Sequence, residues 1–198
     1  MIIEKPDLFV KLQNSYLLQN ILIEEFNLFG IRNSNNMSED IWNDILGLFT
    51  KLGKVYTWLG TTDPGVKATM QGKADGAAHL CIGFHKDIWQ IGIHGKHNPN
   101  YAHTALIQTG NKVKIWRDKN KNFVNDEPTY EEGWYGINWH RASKWQNSPT
   151  IGNYSAGCQV TQDIDDFEFA LDIILKSDKI GNNPDAKISY MLYENEIK

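Results

Sequence analysis

The sequence predicts a single strand-dominated α+β domain, and three observations predict it. Short apolar segments recur through most of the chain, separated by turns rich in Gly, Asn, Asp and Pro. A helical period of apolar residues is confined to two places, one before Gly53 and one after Asp163. No internal repeat, linker or low-complexity tract divides the 198 residues, a length that suits one core. Residues 1–54 read as a strand and helix segment packed on a core made by residues 55–198.

In the amino-terminal segment Leu8, Leu12, Ser15 and Tyr16 keep helical spacing poorly beyond two turns, while residues 21–23 and 27–31 read as strands. Residues 32–36 make a polar loop. Ser38 then caps a predicted helix running to Leu52, with Ile41, Ile45, Leu48, Phe49 and Leu52 on one face. Residues 55–59 form a predicted strand. Thr62-Asp63-Pro64-Gly65 follows as a tight turn, proline presetting φ and glycine accepting φ > 0.

Residues 80–84 and 88–94 are expected to pair as a hairpin with Cys81 in its core, and residues 105–108 and 113–117 as a second hairpin around Thr109-Gly110-Asn111. Residues 135–141 read as a strand ending on a histidine. Beyond Cys158, Thr161 or Asp163 starts a helix that buries Ile164, Phe167, Leu171, Ile174 and Leu175, and Gly181 to Pro184 ends it. Residues 188–193 are the closing strand.

A net charge of −4 gives a nucleic-acid partner no electrostatic support. No stretch approaches the roughly 18 apolar residues of a membrane span. The first residues lack the basic start, apolar run and cleavage site of a secretory signal, so the expectation is a chain made in the cytoplasm. It would then reach a cell wall only after lysis or specialised export. Phosphate-binding loops, dinucleotide fingerprints and zinc-finger spacings are missing from the sequence. Seven Trp, eight Tyr and eight Phe serve either as core or as stacking platforms for sugars and peptides.

Chemistry concentrates in Tyr135-Gly136-Ile137-Asn138-Trp139-His140-Arg141 and Ser155-Ala156-Gly157-Cys158-Gln159-Val160. A thiol within reach of an imidazole is a good nucleophile, because the histidine takes its proton. Gly157, lacking a Cβ, lets backbone and substrate approach the sulfur. The same residues also fit a buried free cysteine beside a strand-end histidine. The two cysteines of the chain, Cys81 and Cys158, are expected to be reduced, since pairing them would consume this nucleophile.

His140, seventeen intervening residues, and Cys158 within Ser155-Ala156-Gly157-Cys158 resemble the signature of the L,D-transpeptidase (YkuD-type) family. That signature is a histidine, a small residue, a loop, then Ser/Thr-His-Gly-Cys and an apolar residue. The resemblance spans Trp134 to Val160; Ala156 stands at the place of the second histidine, and Arg141 at that of the small residue. It implies a β-sandwich or barrel-like fold, Cys158 as acyl-accepting nucleophile, His140 as base, and Ser155 and Gly157 as the presenting turn. It further implies peptidoglycan stem peptides as partners and no required cofactor. The stretches 58–65, 117–120 and 136–141 also resemble phage- and prophage-associated bacterial proteins of no established activity.

Within the implied site Arg141 suits a substrate carboxylate, which guanidinium binds bidentately, or a salt-bridged scaffold. Trp139 and Tyr154 read as cleft walls, and His94 as a strand-end residue facing the same cleft. Backbone N–H groups around Gly157 and Cys158 are the expected oxyanion donors. Two other classes of function stay open. Ala156 and the tryptophans suit a non-catalytic wall- or glycan-binding module; His94, His97 and His103 suit a zinc hydrolase. Finally, Asp118, Asn120, Asn122 and Asp126 alternate oxygens as calcium loops do, with Phe123 at the position where such loops use glycine. A plain Asx-rich turn is the alternative for a structural calcium site here.

Overall fold

The computed structural model describes residues 6–35, 37–72, 75–126, 129–145 and 147–197. Residues 1–5, read above for a leader, and Asn36 of the polar loop lie outside them. In chain order the elements are α1 (Pro6–Leu18), β1 (Phe26–Arg32), β2 (Asp44–Thr50), β3 (Val55–Thr61), α2 (Val66–Gln71), β4 (Ala77–Leu80), β5 (Gly83–His94) and β6 (His103–Gln108). Then come β7 (Val113–Asp118), β8 (Tyr130–Gly133), β9 (Trp139–Arg141), β10 (Gln159–Thr161), α3 (Ile164–Leu175), α4 (Asp178–Asn182) and β11 (Ile188–Glu194). Strands dominate, as the turn-punctuated sequence predicts. Among the described residues no helix is long and apolar enough to cross a membrane.

Eight strands close a barrel in the order β1-β11-β5-β6-β9-β10-β3-β2, and β4, β7 and β8 form a separate three-stranded sheet. Two barrel contacts are parallel, β1 with β11 and β9 with β10. The interior is apolar and aromatic, with Leu28, Leu46, Leu48, Trp89, Leu106, Trp139 and Tyr190 among its buried side chains. A second cluster lies outside the barrel wall, where Leu12 and Tyr16 of α1 cover Phe29, Phe49 and Met191. α3 packs against β9 and β10, its Phe167 edge-on to Trp139.

Several expected elements differ. α1 is a full helix, and its period was masked because the buried face includes Ser15, whose hydroxyl accepts from Tyr193 Oη at 3.0 Å. The helix expected over 38–52 is instead a 3-10 turn, Met37–Glu39, followed by strand β2. β2 is covered on both faces, so its apolar run does not alternate and mimics a helical period. Gly47 passes against the Phe29 ring, where a Cβ would overlap it.

The hairpin expected through residues 85–87 is one continuous strand, β5, pairing with both β11 and β6. Its supposed first arm, β4, belongs to the other sheet. Likewise β6 and β7 flank a turn but join different sheets, so they make no hairpin. Cys81 sits between β4 and β5, half-buried rather than in a core. The late helix starts on Asp163, whose carboxylate accepts from the Asp165 and Asp166 N–H groups. It stops at Leu175, and Ser177 caps the separate α4.

Candidate active site

β9 and β10 run side by side in parallel, with Gln159 opposite Trp139 and Val160 opposite His140. Side chains alternate across a strand, so one set faces the barrel interior and the other faces out. Trp139 and Gln159 take the interior: the Trp139 indole N–H donates to Thr161 Oγ1 at 2.9 Å, and Gln159 Oε1 accepts from Tyr190 Oη at 2.8 Å. Trp139, expected as a cleft wall, is therefore core. His140 and Val160 take the outer face, where Val160, Trp42, Ala142 and Ile151 form a small cluster with Tyr154 and Cys158 packed on it. Cys158 precedes β10, and the Gln159 N–H donates to Asn138 O at 2.8 Å, which continues the ladder back to it. The Cys158 side chain packs on the cluster that holds Val160, the ladder partner of His140.

The turn presenting the thiol is held by Ser155. Its hydroxyl donates to Cys158 O at 2.8 Å and accepts from Gly157 N–H at 3.2 Å. Gly157 has φ +130°, and a Cβ there would press into the Ala78 carbonyl oxygen, so only glycine fits. One expected oxyanion donor, the Gly157 N–H, is therefore already committed.

Cys158 is half-buried, and its thiol donates to Gly136 O at 3.3 Å rather than to His140. Enclosure of the sulfur pushes its pKa up to about 11, against a smaller opposing effect of the Asn138 backbone N–H. Gly136 is positioned by Gln108, whose Oε1 accepts from Tyr135 and Ile137 N–H at 3.1 and 3.0 Å and whose amide donates to Gly133 O.

His140 is 4% exposed. Its Nδ1–H donates to Arg141 O at 2.7 Å; a carbonyl only accepts, so the ring keeps its lone pair on Nε2. Burial, then the neighbouring His94, push its pKa down to about 3, so the resting imidazole is neutral and a weak base. Together with His94, His103, Arg141 and Tyr154 it lines a cleft of about 480 Å³.

Arg141 is 8% exposed and also lines an adjoining cleft beside Glu168 and Asp172 of α3. Its guanidinium donates to Ala142 O, and among the described residues no carboxylate lies within ion-pair distance of it. Glu168 acts on the guanidinium electrostatically without pairing with it, which leaves donors that suit a ligand carboxylate.

Beneath the turn lies a charged network that the sequence did not announce. Arg32 Nε lies 3.0 Å from Asp63 Oδ2, the His79 Nδ1–H donates to Asp63 Oδ1 at 2.8 Å, and Thr62 N–H and hydroxyl both donate to Asp44. Burial opposes ionisation of Asp63, but Arg32 and His79 together hold its carboxyl below the usual range. Asp44, pushed up to about 6 by burial and by Asp63, is the weaker acid. The Gln159 amide donates to Thr62 O at 3.4 Å, which ties this network to β10.

The zinc triad does not assemble. His97 is exposed in a turn, while His94 and His103 join His140, with the His94 and His140 rings face to face. Among the described residues no group of three or more His, Cys, Asp or Glu is arranged to hold a metal. In the loop considered for calcium, Asp118 accepts from Asn122 and Phe123 N–H, Asn122 Oδ1 accepts from Val124 N–H, and Asp126 accepts from the Asn120 and Asn122 amides. Those oxygens serve the loop itself, as in Asx turns. Phe123 nevertheless takes φ +65°, the conformation for which glycine was expected.

Comparison of the chain with protein-family models, with curated proteins and with solved structures finds no match in any of the three.

Proposed function

We propose that this chain is a cysteine-dependent acyltransferase or peptidase of L,D-transpeptidase-like fold, acting on peptidoglycan stem peptides. The observation that carries the reading is the shared outer face of β9 and β10. There His140, a neutral imidazole with a free Nε2 lone pair, lines a peptide-sized cleft, and its ladder partner Val160 belongs to the cluster on which Cys158 packs. The thiol turns from Gly136 O toward His140, its proton passes to Nε2 as sulfur attacks the carbonyl carbon, and His140 returns the proton to the departing amine. Water or a second amine then releases the acyl group. With the thiol near 11 and the imidazole near 3, no thiolate–imidazolium pair is stored in the resting site, so proton transfer accompanies attack. Arg141 holds the substrate carboxylate.

The test is turnover of purified muropeptides, with the Cys158 acyl adduct read by mass spectrometry. Cys158→Ala abolishes turnover, and His140→Ala lowers it by roughly 10²–10⁴, the usual contribution of a general base. Full turnover by Cys158→Ala would end the proposal. A non-catalytic wall- or glycan-binding module is the second reading, favoured by the bond from the thiol to Gly136 O and by the exposed Trp134 and Trp145. It predicts wall sedimentation indifferent to residue 158.

A further inference from the structure

The tautomers of the three cleft histidines follow from their partners. His140 and His103 each direct Nδ1 at a backbone carbonyl, Arg141 O and Tyr101 O, both at 2.7 Å. Carbonyls only accept, so both rings carry the proton on Nδ1 and leave Nε2 bare, that of His103 being buried and without a hydrogen-bond partner. His94 is the opposite case. Its Nδ1 lies 3.3 Å from the side-chain amide nitrogen of Asn138. The other end of that amide, Oδ1, accepts from the Gln108 backbone N–H at 2.8 Å, and a backbone N–H can only donate. The Asn138 amide is thereby fixed with its NH₂ toward His94. An NH₂ donates, so His94 Nδ1 is the acceptor and the neutral ring bears its proton on Nε2. Burial, followed by Arg141, keeps that ring neutral by lowering its pKa.

Among the cleft's three imidazoles His94 alone thus carries its N–H on Nε2, not committed to a backbone carbonyl, and it adjoins both His140 and Asn138. It stacks on His140 with 3.8 Å between centroids, and it bonds to Asn138, whose backbone N–H faces the Cys158 sulfur. Two of the turn's backbone donors are already committed. The Gly157 N–H is held by Ser155 Oγ and the Gln159 N–H by Asn138 O. An acyl-transfer site needs donors aimed at the oxygen that becomes negative.

We infer that His94 is a catalytic residue, its Nε2–H donating to the substrate carbonyl oxygen as that oxygen becomes an oxyanion, with Asn138 as the positioning residue that sets the tautomer. The inference rests on the acyl-transfer reading above. In the step, the Cys158 sulfur bonds to the carbonyl carbon, the C=O π pair moves onto oxygen, and the thiol proton goes to His140 Nε2. His94 keeps its proton and donates only a hydrogen bond. On collapse the C=O bond re-forms and the leaving group departs, taking the proton from His140 where it is an amine.

The experiment compares two reactions of the same sulfur in the intact chain, both read at Cys158 by mass spectrometry. Acylation by p-nitrophenyl acetate passes through an oxyanion; alkylation by iodoacetamide does not. In His94→Phe, which keeps a flat ring against His140, acylation is expected to fall about 100-fold, the cost of losing one oxyanion donor, with alkylation unchanged. His94→Gln, which restores a side-chain N–H, is expected to recover at least part of that loss. A fall in both reactions together, no fall in either, or no recovery with Gln overturns the inference. Acylation that depends on His140 but not on His94 overturns this inference alone. Absence of any acylation at Cys158 in the unaltered protein overturns the acyl-transfer reading with it.

Discussion

The imidazoles of His94 and His140 lie face to face, 3.8 Å between centroids and 16° between planes. With His140 buried and His94 half-buried against it, neither ring can gain a proton without placing it against the other, and His94 is the second-largest cause of the depressed His140 pKa after burial. The thiol and the imidazoles of the site are neutral, and stability and reactivity should depend on pH accordingly.

Acid should unfold the protein early. His140 titrates near 3, and His85 and His103 near 4, against 6.5 for an ordinary histidine. Between those values the unfolded chain binds more protons, so stability is complete above about pH 6.5 and falls as pH drops toward 4. For His140 alone the loss between pH 7 and pH 4 is roughly 3 kcal/mol. Asp44, raised to about 6, opposes this, because its protonation favours the folded state below that pH. Three histidines outweigh one aspartate. Urea midpoints should fall from pH 7 to pH 4.5, and His140→Gln should flatten that slope; an unchanged slope would sink the assignment.

The alkylation rate of Cys158 should climb through the alkaline range without a plateau near pH 6, since its thiol titrates near 11. About tenfold per pH unit is the expected rise, as the thiolate fraction sets the rate. A plateau near neutrality would instead reveal a stored ion pair with His140.

Gly157→Ala should be severe. The residue holds φ +130°, and a Cβ would press into the Ala78 carbonyl, which is backbone and cannot swing away. A loss on the order of 2–4 kcal/mol in urea unfolding is expected, from strain and overpacking together. Gly136→Ala provides the contrast, because φ is +72° there but open space surrounds the missing Cβ.

Gln108→Leu removes the acceptor shared by the Tyr135 and Ile137 N–H groups and leaves both without it. The cost is about 2–4 kcal/mol for two stranded donors. Because Gly136 lies between those residues, the thiol also loses its carbonyl partner's support. Faster alkylation of Cys158 than of Cys81, relative to the unaltered protein, checks this link.

Much of the chemistry was legible in the residues themselves. A rare cysteine after Ser-Ala-Gly, and a histidine ending an apolar strand, stood out because residue type alone limits what they can do. The Asp163 cap and the closing strand were equally local, each set by a few neighbours in the chain. Gln108, Asn138 and the Arg32–Asp63–His79 network left little trace. A polar residue at a strand end reads as solvated until its partners, distant in sequence, are known.

The sequence by itself determined a strand-dominated body, the small-residue turn at 155–158 and the identity of a candidate thiol–imidazole pair, because propensity and side-chain chemistry are local properties. Tertiary structure alone decided that residues 44–50 are a strand, since burial on both faces removed the alternation that would have marked it. It alone turned Trp139 inward and His140 outward, through the parallel register of β9 on β10. And it alone chose the proton positions of the cleft histidines, which depend on whether a carbonyl or an amide from elsewhere in the chain meets each ring.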